Sequence, residues 1–567
     1  MDNQKLILFL GLSLVVMMLF QSWEEQNTKP KTPVIQTAPI TDMPSAGGAE
    51  LAAAPADVPG GVTSSEIPQD IPAANSSAVK EMPQTEISPV KSGKRVHVQT
   101  DLLDVEIDTV GGDLRKVSLL AYPVAVDKPD EPFQILNDTL PRYFVSQTGL
   151  ISKQGSAPGH RDVYDVEQTE YKLADGSDEI KVTLNWSGTD GMSVAKIYTF
   201  RRDAYVIDVD YIVSNNGSAE WKGYLYRQLQ RTEVSEAGQS KLIYTFMGGV
   251  VSTTFDKYEK ITFDEMAEWK PQQSYIEGGW AAMLQHYFLA AIIPSSEQLN
   301  HFYTKAIDDT RFIIGMTSQE KIVNVGQASH ILTQFYIGPK DQFRMEKAVK
   351  DLDRTVDYGV LWVLAKPIFT LLNYIHGIVG NWGWAIIILT LLIKLVFYKL
   401  SEASFKSMAR MRRFQPKIAD IRERYGSDKQ RMSQALMALY KKEKINPLGG
   451  CLPMLVQIPV FISLYWVLLE SVELRQADFI FWFNDLSTKD PYYVLPLLMG
   501  ITMFVQQKLN PAPMDPVQQK VMMALPFIFT AFFAFFPSGL VLYWITNNLL
   551  TISQQWYILR KYEKSGA

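Results

Sequence analysis

Cysteine is nearly missing: Cys451 stands alone among 567 residues, so no intrachain disulfide can form. No cysteine follows the first apolar run, which excludes a lipid-modified cysteine anchor there. Catalytic and nucleotide-binding signatures are missing too. The chain has no HExxH, no GxSxG and no GxxxxGK[ST], and His97, His160, His286, His301 and His330 show no metal-ligand spacing. The expectation is a chain that is not an enzyme and uses no metal and no cofactor. A net charge of −5 and a pI near 5.8 give no global attraction to DNA. Acids are also missing from every apolar run after residue 380, with Glu470 only at the end of one.

What is present is strongly regional. Leu6 to Phe20 form an apolar run after Lys5, followed by Gln21-Ser22-Trp23-Glu24-Glu25 rather than by small residues. That pattern predicts an uncleaved anchor over 1–25 with a cytoplasmic N-terminus. Residues 26–92 are rich in Pro, Ala, Ser and Thr and carry no apolar period, so they are expected to be a flexible linker. Over 93–345, apolar residues alternate with polar ones: Val96 and Val98; Leu103, Val105 and Ile107; Ile180, Val182, Leu184 and Trp186; Tyr205, Ile207, Val209, Tyr211 and Val213. Turn residues such as Gly111-Gly112 and Asn215-Asn216-Gly217 punctuate the runs. This predicts a large antiparallel β-sandwich, structural or able to hold an extended peptide or a sugar in a surface groove.

Residues 355–380 are apolar but interrupted by Lys366-Pro367, Asn373 and His376. If this segment crossed the membrane, the very basic loop beyond the next helix would face outward. An amphipathic helix lying in the interface keeps that loop cytoplasmic, as the bias of basic residues requires. Residues 381–560 then form a core of five spans: Asn381–Ser401, Pro453–Leu469, Tyr492–Val505, Val521–Phe536 and Gly539–Trp556. With the anchor this makes a multi-pass chain with both termini cytoplasmic and the sandwich outside. Between the first two core spans, 400–446 predicts a cytoplasmic helical hairpin. Met408, Met411, Ile418, Ile421 and Tyr425, then Met432, Leu436, Leu439 and Tyr440, recur at helical spacing, and Ser427 with Gln430 fits a capping box. Arg410, Arg412, Arg413, Lys417, Arg422 and Arg424 make its outer faces basic, fitting a docking arm for ribosomal RNA, anionic lipid or a partner protein, or a solvated hairpin that enforces topology.

Lys394 stands out. Ten residues beyond Trp384, at about 1.5 Å each, it falls roughly 15 Å into an apolar layer about 30 Å thick. A cation there costs about 2.5–3.5 kcal/mol, which makes it a candidate functional residue; the alternative is a lysine that snorkels to the nearer surface. Thr390 lies one turn earlier on the same face, and Gln457, Asn547 and Asn548 add polar content that a water-filled recess would satisfy. A small-solute transporter is the competing class, but the spans show no internal repeat and no intramembrane acid. A membrane-anchored periplasmic binding protein is the other.

The stretches NWGWAIIILTLLIK, DPYYVLPLLMGITMF, FPSGLVLYWITNNLLT and NPLGGCLPMLVQIPVFISLYWVLLESVELRQADF closely resemble the YidC membrane protein insertases of Gram-negative bacteria. The likeness runs from about 355 to 558, and the tether and sandwich share that family's periplasmic layout. The resemblance implies a hydrophilic groove open to the cytoplasm and to lipid and closed toward the periplasm. It places Lys394, Thr390, Gln457, Tyr543 and Trp544 along that groove. Most members carry Arg at the position of Lys394, and relatives often carry a second Tyr at Trp544. Lysine keeps the charge but not the guanidinium fork. The implied partners are nascent membrane proteins, the Sec translocon with its accessory proteins, the translating ribosome with the signal recognition pathway, and the lipid bilayer of the inner membrane. The C-terminal tail is short for tail-mediated ribosome tethering.

Overall fold

The computed structural model describes residues 92–234, 245–307, 310–425, 428–443, 452–509 and 516–564. The expected anchor and all but the last residue of the expected linker lie outside the described residues.

The alternating segments form strands because their period of two gives each strand one apolar face. Val206–Asn215 shows this most plainly: Ile207, Val209, Tyr211 and Val213 are buried, and the residues between them are partly exposed. It pairs antiparallel with Met192–Arg201 and with Gln327–Pro339. In the other sheet, Trp221–Thr232 lies between Phe144–Gln154 and Arg311–Ser318. Among the described residues one sheet has eleven strands and the other nine. Their inner faces share a core in which Val105, Ile107 and Leu225 meet Val209, Tyr211 and Ile292. Among the described residues the sandwich is antiparallel except for a short parallel pairing of Arg95–Gln99 with Glu170–Lys172.

The strands end at Pro339, and helices follow. Asp341 caps α1 (Gln342–Ala348) by accepting from the backbone N–H groups of Phe343 and Arg344. Helix α2 (Trp362–Val379) buries the stripe Ala365, Phe369, Leu372 and Ile375, and stops at Gly380 in the left-handed conformation. The segment Gly359–Val379 is long and apolar enough to cross a membrane.

Helix α3 (Trp382–Val396) is shorter than the expected span Asn381–Ser401. The chain bends by 66° into α4 (Tyr398–Arg413). The bend falls where the sequence turns from Ile and Leu to Lys399, Ser401 and Glu402. Fifteen residues at about 1.5 Å each reach only about 22 Å, less than an apolar layer of about 30 Å. The expected hairpin is likewise divided. Helix α4 stops before Phe414, and α5 (Gln415–Tyr425) begins with Pro416 in its first turn, where a missing N–H is tolerated. Helix α6 (Lys429–Lys442) is capped by Asp428, whose carboxylate accepts from the N–H groups of Gln430 and Arg431. The cap is thus Asp428 rather than Ser427, which lies outside the described residues. The seam gathers Ile418 and Tyr440 with Met411, Phe414, Leu436 and Leu439.

The remaining helices are α7 (Leu452–Glu470), α8 (Val494–Leu509), α9 (Pro516–Phe533) and α10 (Ser538–Lys564). Helices α8 and α9 approach closely at Gly500, where a Cβ would stand 2.1 Å from the Thr530 hydroxyl oxygen. The sandwich is tied to the end of α7. His286 Nε2–H donates to the Leu469 carbonyl at 3.1 Å, satisfying one of the last carbonyls of that helix. Arg475 donates to the carbonyls of Pro123 and Val124 and lies over the rings of Phe133 and Phe288. Lys340 faces Glu470 at 3.9 Å, both almost fully buried.

Candidate functional site: a lysine at a helix end

Helix α3 is held from its start. The Asn381 carboxamide accepts from Trp384 N–H and donates to the carbonyls of Asp478 and Phe479. Gly383 is required beside that anchor, because a Cβ would lie 2.1 Å from the Phe479 ring. One face buries Trp382, Ala385, Ile386, Leu389 and Thr390. Lys394 follows in the last turn, half-buried. The helix ends two residues later, at Val396, short of the Ser401 expected for a continuous span. The partial negative charge of unpaired C-terminal carbonyls favours a cation there.

Lys394 Nζ donates to Thr551 Oγ1 at 2.8 Å and reaches Gln457 Oε1 at 3.4 Å. Gln457 Nε2 donates to Asn547 Oδ1 at 2.6 Å. Thr551 Oγ1 donates its own proton to the Asn547 carbonyl at 2.6 Å, which leaves its lone pairs for the ammonium. Three helices therefore meet at one polar node. Tyr543, Asn547 and Thr551 recur every fourth residue, which puts them on one face of α10. Among the described residues every hydrogen-bond partner of Lys394 is neutral. The ammonium has acceptors but no counter-charge, so an arriving carboxylate would form the stronger, charge-assisted bond.

The other expected groove residues divide. Gln457 belongs to the node. Tyr543 is buried one turn before Asn547, on the same face of α10. Trp544 stands beside it in an aromatic group, 4.7 Å from the Phe461 ring and 5.0 Å from that of Phe533. Thr390 is fully buried and turns its hydroxyl back to the Ile386 carbonyl at 2.6 Å, outside the node. Thr551 was missed from sequence. The fourfold spacing from Tyr543 through Asn547 was the available signal.

Of the expected docking residues, Arg410, Arg413, Lys417 and Arg424 are exposed and Arg422 is half-exposed. The Arg412 side chain lies outside the described residues. Lys417 pairs with Glu443 at 3.4 Å across the hairpin and lies over the Phe414 ring.

The chain is similar to known proteins over most of its length. The YidC periplasmic domain family matches residues 95–371, and the 60Kd inner membrane protein family matches residues 374–565. The membrane protein insertase YidC of Thioalkalivibrio sulfidiphilus is 50% identical over 577 residues, covering 100% of both chains. That of Alkalilimnicola ehrlichii is 49% identical, over 99% of this chain and 96% of its own. A crystal structure of an active YidC insertase with its first transmembrane domain resolved covers 82% of this chain and 93% of its own, at 18% identity and a TM-score of 0.37. With both halves matched and half of all positions identical over the full length, the chain belongs to the YidC family of membrane protein insertases.

Proposed function

We propose that the node at Lys394 receives the acidic, membrane-crossing end of a nascent membrane protein. The observation that carries this is a cation at the end of an apolar helix whose bonding partners among the described residues are all neutral. An incoming carboxylate displaces Thr551 or Gln457 and gains a charge-assisted bond. The remaining polar groups of Gln457, Asn547 and Thr551 then lower its desolvation cost. The apolar part of the substrate leaves past Trp544 and Phe461 into lipid, and burial of its apolar surface drives the transfer. Thr390 supports this face by packing rather than by bonding.

The surrounding architecture supports an inner-membrane arrangement in which the hairpin 400–446 faces the cytoplasm. There its basic faces meet the translating ribosome or anionic lipid. Helix α2 lies in the interface, because its buried stripe is one-sided and Lys366 is paired with Asp353 at 2.7 Å. Both termini are cytoplasmic, and the Sec translocon is a partner for larger substrates. Single-span substrates with short acidic tails need only this chain.

The test is insertion of one purified single-span substrate into liposomes holding the full chain. Lys394→Arg keeps insertion and Lys394→Glu blocks it. Equal insertion by the two variants would overturn the electrostatic role.

A further inference from the structure

The segment between α7 and α8, residues 471–493, is firmly built yet turns large apolar side chains outward. Asp485 accepts from Gln476 N–H at 3.1 Å, Ser487 N–H at 2.8 Å and Ser487 Oγ at 2.6 Å. Asp490, itself buried, accepts from Trp482 Nε1 at 3.2 Å, Tyr492 N–H at 3.0 Å and Leu495 N–H at 2.7 Å. Backbone bonds from Ser538 to Thr488 and from Gly539 to Leu486 fasten the segment to the start of α10.

This rigidity does not hide the apolar groups. Phe481 is 85% exposed and Tyr492 66%, and Ile480, Trp482 and Tyr493 are exposed beside them. The backbone is forced to do this. Gln476, Phe481 and Tyr493 hold φ values of 58°, 59° and 56°, in the left-handed region that costs a side-chain-bearing residue about 1–2 kcal/mol. Burying a phenylalanine would gain about 1.5–3 kcal/mol, so a segment free to relax would fold Phe481 inward in water. An observed outlier of this kind points to a surrounding that rewards it.

The surface around it identifies that surrounding. Trp482 packs edge-on against Tyr492 at 5.6 Å. From Tyr492 and Tyr493 the exposed apolar surface continues along α8 through Leu497, Ile501 and Phe504. On the other side, Trp384 packs edge-on against Phe479 at 5.6 Å. Aromatic rings concentrate where a bilayer meets water. The end of the bundle is also fixed, because Arg475 in this same segment bonds to the sandwich.

We propose that Ile480-Phe481-Trp482 and Tyr492 form a lipid anchor seated in the headgroup region of the leaflet nearest the sandwich, held in shape by Asp485 and Asp490. The anchor sets the depth of the bundle and hence the depth of Lys394. It rests on the reading that the surrounding helices lie in the bilayer.

The single native cysteine makes the test direct. The full chain carries Cys451→Ser with either Phe481→Cys or Ile501→Cys, labelled with an environment-sensitive fluorophore. It is reconstituted into phosphatidylethanolamine–phosphatidylglycerol vesicles holding lipids spin-labelled near the headgroup or deep in the chain. The probe at 481 is expected to be quenched about threefold more by the shallow label than by the deep one, as for an interfacial aromatic, and the probe at 501 more by the deep label. Quenching at 501 with a water-like, unquenched probe at 481 overturns the anchor alone, and leaves a protein partner as the occupant of that surface. Quenching at neither position overturns the anchor and the membrane placement together. As a second measure, Phe481→Asp is expected to shift the shallow-to-deep ratio at 501 by about twofold; no shift overturns the depth-setting role.

Discussion

Lys196 in the sandwich and Lys394 in the helical bundle are both withdrawn from water, and their surroundings differ in kind. Lys196 is fully enclosed. Its Nζ donates to the Gly111 carbonyl at 3.0 Å and lies over the rings of Tyr164, Tyr198 and Tyr211. Burial pushes its ammonium well below the ordinary lysine range, and the negative charge of Asp113 pulls it partway back. Asp113 in turn is raised by burial and held down by Arg115 and Lys196. This cation is sealed in and balanced. Lys394 is half-exposed and, among the described residues, meets only neutral acceptors. A buried lysine is therefore not evidence of function by itself. What distinguishes the two is whether the site has already supplied the counter-charge and closed around it.

Substitutions should separate the two. The largest effect is expected from Lys196→Ala, which leaves the Gly111 carbonyl unpaired and a void among three tyrosines. It should destabilise the sandwich by about 3–5 kcal/mol in denaturant unfolding of the full chain, while insertion per folded molecule stays unchanged. Lys394→Met should do the reverse. A unit charge about 4 Å from a carboxylate is worth up to on the order of 4 kcal/mol at an effective dielectric of about 20. Insertion of a short acidic-tailed substrate should fall on the order of 100-fold, with the melting temperature unmoved. A loss of insertion in Lys196→Ala equal to that in Lys394→Met would erase the distinction.

The junction between the two regions offers a third test. Burial, helped by the charge of Lys340, pushes the His286 imidazole down to about 3. A depressed folded-state value means that the neutral form stabilises the fold. That contribution is complete above the ordinary value near 6.5 and is lost as pH falls from there toward 3. Melting of the full chain should therefore weaken with a limiting slope of about 1.4 kcal/mol per pH unit in that window, and His286→Gln should flatten the slope. An unchanged slope would remove His286 from the account. The smallest effect is expected at Thr551. Thr551→Val removes the nearer acceptor of Lys394 but leaves Gln457, so insertion should fall about threefold, as for one hydrogen bond of roughly 0.7 kcal/mol, with Thr551→Ser restoring it. A loss as deep as that of Lys394→Met would mean that Thr551 itself receives the substrate.

Much of this was legible before any coordinates. Tyr205, Ile207, Val209, Tyr211 and Val213 announced a strand by alternation, because a strand's two faces separate every second residue. The apolar run ending near Lys394 announced a helix, and the structure has one over Trp382–Val396. The node was only half legible. Gln457 was found as a polar residue in an apolar run, but Thr551 sits among Leu, Ile and Ser and carries no such contrast. Thr390 and Thr551 both donate their hydroxyls to the carbonyl four residues earlier, yet only Thr551 also accepts from Lys394. Spacing fixes which face a residue occupies, not which distant side chain that face meets. The shift of Lys394 from mid-span to helix end came from the 66° bend.

Where strands and apolar helices run, where basic residues collect and that Lys394 stands inside an apolar run are set by local periodicity and composition. What Lys394 meets is set by the packing of three helices. Lys394 and Thr551 are 157 positions apart, and Gln457 comes from a third helix. The tertiary structure also decided that His286 and Arg475 lock the sandwich to the bundle and that Phe481 is held outward. Contacts between distant segments depend on how whole faces pack, and no short stretch of chain encodes that packing.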